Sequence, residues 1–135
     1  MSTTSKEISA IKRIRELLDL QAELRSSFSE DEYNVFVFGS YPTVRFSESG
    51  SDVDIAVYAE SLELYKRISV MIETFFEERG IPVDLFFIDI NTPAPFYLAP
   101  LRAQICFTDY FPEKLRDFEM KCSDELAKIK RSMAV

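Results

Sequence analysis

Apolar residues between Lys6 and Phe28 recur every three or four positions, at Ile8, Ile11, Ile14, Leu17, Leu18 and Leu24, with Lys, Arg and Glu between them. That period predicts an amphipathic helix with its apolar stripe turned to a core. The polar stretch SFSEDEYN breaks the pattern, and VFVF (35–38) has the β-branched and aromatic content of a buried strand that ends at Gly39. A Ser-rich and Gly-containing loop (41–51) leads to a second strand, VDIAVYA (53–59). SLELYKRISVMIETFFEERG (61–80) then reads as a helix. Ser61 is its N-cap, Leu64, Ile68, Met71, Ile72 and Phe75 share one face, and Gly80 is its stop. PVDLFFID (82–89) is a third strand and ICFTD (105–109) a short edge strand. Between them NTPAPFYLAPLRAQ is punctuated by proline and helical near its end, and 112–132 forms a charged last helix. Helix, strand, loop, strand, helix, strand, helix, short strand, helix is the order of a small α/β or α+β sandwich. The first helix's stripe is expected in the core. The last helix, with Phe111, Leu115, Phe118, Met120 and Leu126 among Lys and Glu, is open to either a core or a partner.

Two of the apolar strands carry acids. Asp52 and Asp54 flank Val53, so in an extended chain they point the same way, about 6.6 Å apart. Burying carboxylates costs several kcal/mol each unless something compensates (roughly that order in protein interiors). Like charges so close raise each other's pKa, and a divalent cation between them relieves both costs. The third strand repeats the device with Asp84, set between Val83 and Leu85 in a strand able to pair beside the second. Three carboxylates on one face form an all-oxygen site suited to Mg²⁺. Gly39-Ser40, directly after the first strand, offers the complementary part, because a glycine permits close backbone approach and the turn's N–H groups with the Ser hydroxyl suit a phosphate.

Composition narrows the chemistry. At 135 residues and 15.6 kDa, with 47% hydrophobic and 29% charged residues, the chain reads as one folded domain, small for an enzyme that must enclose two substrates. It contains no histidine, which removes Ser-His triads and leaves carboxylates, a metal, Lys or Tyr to do any catalysis. Cys106 and Cys122 form no metal-binding pair and read as reduced thiols. No apolar run is long enough to cross a bilayer, and the first residues lack the apolar core of a signal peptide, so a cytoplasmic protein without membrane contact is expected. The net charge of −7 is concentrated in residues 31–90, which hold four basic and twelve acidic side chains. Such a field disfavours direct nucleic-acid binding and draws divalent cations.

The sequence GS followed by SDVDIAV, and then VDLFFIDIN, resembles the nucleotidyltransferase superfamily, whose signature is a Gly-Ser pair, a ten-residue gap, Asp-x-Asp and a third acid on a later strand. It looks most like the minimal nucleotidyltransferases found as antitoxins of HEPN-domain toxins. The resemblance covers roughly residues 33–130 and implies a polymerase-beta-like fold, a small mixed sheet packed by helices. Residues 31–135 would form the minimal domain, with the helix of residues 1–30 as part of it. The resemblance also implies roles. Gly39 and Ser40 would hold the phosphates of ATP, with Arg45 reaching the triphosphate, and Asp52 and Asp54 would ligate Mg²⁺. Asp84 would complete the metal site or act as base. The chain departs from the pattern in two ways: eleven residues separate Ser40 from Asp52, and the family's small residue shortly after the Ser is missing. Tyr41 and Phe46 in this loop are candidates for a base pocket or for loop packing. The expected reaction is AMP transfer from ATP to a hydroxyl, a tyrosine by preference, on a HEPN-type toxin. The alternatives are a non-catalytic binding antitoxin on the same fold, and a small-molecule nucleotidyltransferase acting as a homodimer; homo-oligomerisation is possible in either case.

Overall fold

The computed structural model describes residues 4–47, 50–88 and 105–133. Its elements are α1 (Ser5–Ser27), β1 (Tyr33–Phe38), β2 (Val53–Ala59), α2 (Leu62–Glu77), β3 (Val83–Phe87), β4 (Ile105–Cys106) and α3 (Glu113–Met133). The four strands form one mixed sheet in the order β3-β2-β1-β4. β1 runs antiparallel to β2 and β4, while β2 and β3, joined through α2, are parallel. The α/β class and mixed sheet expected from the sequence are therefore present. The segment 91–104, read as partly helical, lies outside the described residues.

Strand alternation divides the core in two. Val35, Val37, Ile55 and Val57 pack with Leu17, Leu20 and Leu24 of α1 and with Ile68, Ile72 and Phe76 of α2. Phe36, Ala56 and Tyr58, on the other face, pack with Leu115, Phe118 and Cys122 of α3. The sheet is thus the middle of three layers. Of the last helix's apolar residues, Leu115 and Phe118 are buried in this second core, with Phe111 and Leu126 against it, whereas Met120 is exposed.

The first helix corrects its sequence reading. Leu17, Leu20 and Leu24 face the core, but Ile8, Ile11, Ile14 and Leu18 are exposed. The steps of three from Ile8 to Ile11, Ile14 and Leu17 drift about 60° each around a helix of 3.6 residues per turn, whereas the buried line, spaced by three and four, runs Ala10, Arg13, Leu17, Leu20, Leu24. An arginine sits in that line. Thr4 caps the helix by accepting a hydrogen bond from Glu7 N at 3.1 Å.

Other boundaries have local causes. Ser61 Oγ accepts from Leu64 N at 3.1 Å, the N-cap expected for α2. Gly80 stops the following chain with φ +67°, and Ile81 N bonds back to Phe76 O. β4 is shorter than expected because side chains replace its ladder. Thr108 N donates to Asn34 Oδ1 (3.1 Å), Asn34 Nδ2 donates to Thr108 O (3.2 Å), and Thr108 Oγ1 donates to Tyr33 O (2.8 Å). Neither cysteine is in a disulfide; Cys106 is exposed and Cys122 buried. Among the described residues no helix is long and apolar enough to cross a membrane.

Candidate active site

Parallel pairing sets Asp54 opposite Asp84, and antiparallel pairing sets Phe38 opposite Asp54. Alternation places both acids on the sheet face that carries Ala56 and Phe86, the face of α3. Asp52 stands just before β2, where Val53 N donates to Pro82 O at 2.9 Å and locks the starts of the two parallel strands together. Asp54 is half-buried, whereas Asp52 and Asp84 are exposed. The Asp54 carboxyl is raised above the usual carboxylate range, first by burial, then by the charge of Asp84 and that of Asp52. The three acids therefore share a field, although among the described residues no three acid, cysteine or histidine side chains close on a common metal position. Their donor chemistry fits a hard divalent cation: all oxygen, all anionic, with the innermost carboxyl held up by its neighbours' charge.

Gly39 completes this corner. It ends β1 at φ +75°, a conformation that strains any residue with a Cβ. A Cβ built there overlaps Asp54 Oδ2 and stands 3.2 Å from Asp54 Cγ. Glycine is thus required twice, by backbone conformation and by close approach to the acid. Ser40 follows, its carbonyl accepting from Thr43 N (2.9 Å) and Thr43 Oγ1 (2.7 Å), which folds the chain into a tight turn.

The other loop residues divide. Arg45 is exposed, its backbone N–H donating to Thr43 Oγ1 at 3.2 Å, and among the described residues no hydrogen bond or ion pair joins its side chain to the acids. Tyr41 is fully buried, edge-on to Phe46 (5.0 Å between centroids) and Phe76 (5.7 Å), so Tyr41 and Phe46 pack the loop. Burial and the Glu16 carboxylate push the Tyr41 hydroxyl well above its ordinary pKa, and that hydroxyl donates to Glu16 Oε2 at 3.1 Å. Arg13 also reaches this loop from α1, bonding its backbone at two carbonyls. The sequence reading missed Arg13; its signal was a cation on the leucine-bearing line of an amphipathic helix. A cavity of about 390 Å³ lies beside Arg13, Phe46, Ser51, Arg79 and Pro82, and none of the three acids lines it.

A family profile described as "Nucleotidyltransferase domain" matches residues 17–120. The chain belongs to the nucleotidyltransferase domain family. Among solved structures it is similar to a chain of a crystal structure of the toxin-antitoxin pair MntA-HpeT, a mutant with two aspartates replaced by glutamate. That likeness has a TM-score of 0.53 at 17% identity and covers 87% of this chain and 89% of the other, a likeness of fold. Among curated proteins no sequence matches. The matched span takes in Gly39, Ser40, Asp52, Asp54 and Asp84, but begins after Arg13 and Glu16.

Proposed function

We propose that this nucleotidyltransferase is an antitoxin, acting in the cytoplasm, that moves AMP from ATP to a tyrosine hydroxyl of a HEPN-type toxin with Mg²⁺ as cofactor. The observation that carries the reading is the register of Asp54 with Asp84, with Gly39 held so close to Asp54 that no side chain fits between them. Such an arrangement brings a phosphate-holding turn against a set of carboxylates, the two parts a nucleotidyl transfer needs. Asp52, Asp54 and Asp84 would hold the divalent cation. When bound, the ion supplies charge neutralisation for the triphosphate.

The chain's own residues do the rest. Exposed N–H groups at Gly39-Ser40 and the Ser40 hydroxyl hold phosphate oxygens, and Arg45, free to swing from the exposed loop, adds positive charge to the triphosphate. The acceptor oxygen attacks the α-phosphorus, and the bond from that phosphorus to the oxygen bridging to the β-phosphate breaks. Pyrophosphate leaves with the bond's electron pair, and the hydroxyl proton passes to the Asp84 carboxylate. Two further observations support the reading. Asp52 and Asp84 are exposed, so a large acceptor can reach them. The altered aspartates of the toxin-antitoxin neighbour are one residue apart, as Asp52 and Asp54 are here.

Neutralisation by the Asp52→Asn variant tests the reading. Complex formation with the toxin should persist while neutralisation is lost. A variant that still neutralises would establish an occluding antitoxin instead.

A further inference from the structure

Arg13 is buried, with 7% relative exposure of the residue, in the core-facing line of α1, where Leu or Met would avoid the cost of burying a charge. It spends that charge on one loop. Nε donates to Tyr41 O at 2.7 Å and one Nη donates to Thr43 O at 2.8 Å, the first and third residues after Ser40. The guanidinium also stacks over the Phe46 ring, 4.9 Å from its centroid. One turn along the same helix, Glu16 holds the Tyr41 hydroxyl, so the loop is gripped by backbone and by side chain. Between β1 and β2 the described chain forms neither helix nor strand, and its local bonds from Ser40 to Phe46 all run through Thr43.

We propose that Arg13 is a positioning residue for nucleotide binding: it fixes the backbone after Gly39-Ser40 so that the turn's N–H groups converge on the phosphates. The proposal rests on the reading of Gly39-Ser40 as the phosphate-holding turn. A planar fork with donors at fixed angles can bridge two carbonyls two residues apart in one geometry, which an ammonium on a flexible stem does not. Arg13 does not touch the reacting atoms, so its effect belongs to nucleotide affinity rather than to the chemical step.

The test compares wild type, Arg13→Met and Arg13→Lys as full-length proteins with the partner toxin, Mg²⁺ and α-labelled ATP, below the melting temperature of each. Expected are a rise in KM for ATP of about tenfold or more in Arg13→Met, a smaller rise in Arg13→Lys, and kcat within about threefold of wild type in both. Amide hydrogen exchange at Thr43, Arg45 and Phe46 should quicken in both variants while exchange within β2 is unchanged. Unchanged KM in a folded variant overturns the proposal. So does a rise in KM without faster loop exchange. If Arg13→Met fails to fold, the same two readouts on Arg13→Lys decide. Wild type that transfers no α-label removes the underlying reading, and the proposal with it, a result distinct from transfer that Arg13 does not affect.

Discussion

Asp54 is where function and stability oppose each other. Burial and two neighbouring acids raise its pKa, so ionising it at neutral pH disfavours the fold. Asp54→Asn should therefore abolish nucleotidyl transfer and yet raise the melting temperature at pH 7.5 without Mg²⁺. The sign with pH follows from the raised folded value. The penalty is complete above it and fades as pH falls through it toward the unfolded value, so the gap between variant and wild type should narrow on acidification. Melting curves across pH check this, and a gap that widens would refute it. Gly39→Ala should act the other way, losing about 1–3 kcal/mol in urea titrations from a strained φ and an overlap with Asp54. The pairing of Asp54 beside Asp84 was legible in the sequence because acids inside apolar strands break a pattern. The close packing of Gly39 on Asp54 was not, since it depends on how β1 and β2 meet.

Helices and strands show the same division. β2 was legible to the residue, because alternation and length both marked it, and the Ser61 cap marked the start of α2. α1 was legible as a helix but not in orientation, because leucines hold its buried side while Ile8, Ile11, Ile14 and Leu18 lie on its exposed side. Substitution measures the difference: Leu20→Ala should cost about 2–5 kcal/mol, whereas Ile11→Ala, on the exposed side, should stay within about 0.5 kcal/mol. Equal losses in chemical denaturation would mean that the exposed stripe is covered. α3 is tied to the sheet through Glu60, which accepts from the Tyr110 and Tyr58 hydroxyls and lies 3.6 Å from Lys114 Nζ. The Tyr110 hydrogen bond is the first of the causes that hold the Glu60 pKa below the usual carboxylate value. A depressed folded value means stability that is present above the unfolded pKa and lost as pH falls through the folded one. Wild type should lose its advantage over Glu60→Gln as pH drops below about 4.5; a constant advantage in pH-dependent melting would contradict the tie.

The three-layer build explains how a short chain presents a site. Helices α1 and α2 cover one sheet face, α3 packs on the other, and the acids lie on that second face at the end where β1 stops and β2 and β3 start. The −8 formal charge of residues 31–90 surrounds this end in sequence and favours a cation over bare nucleic acid. The fold class was readable from the order of elements, and family membership from the spacing of a few residues. The brace from Arg13 was unreadable, because it joins residues 28 and 30 positions apart through side-chain geometry. The central claim is that the carboxylates and the Gly-Ser turn together transfer a nucleotidyl group. Its most direct measurement is incubation of the protein and the proposed toxin partner with Mg²⁺ and ATP labelled at either the α- or the γ-phosphate, for wild type and Asp52→Asn. The account predicts α-label, and no γ-label, on the toxin band with wild type and none with the variant. A stable complex that acquires no label from either position would contradict it.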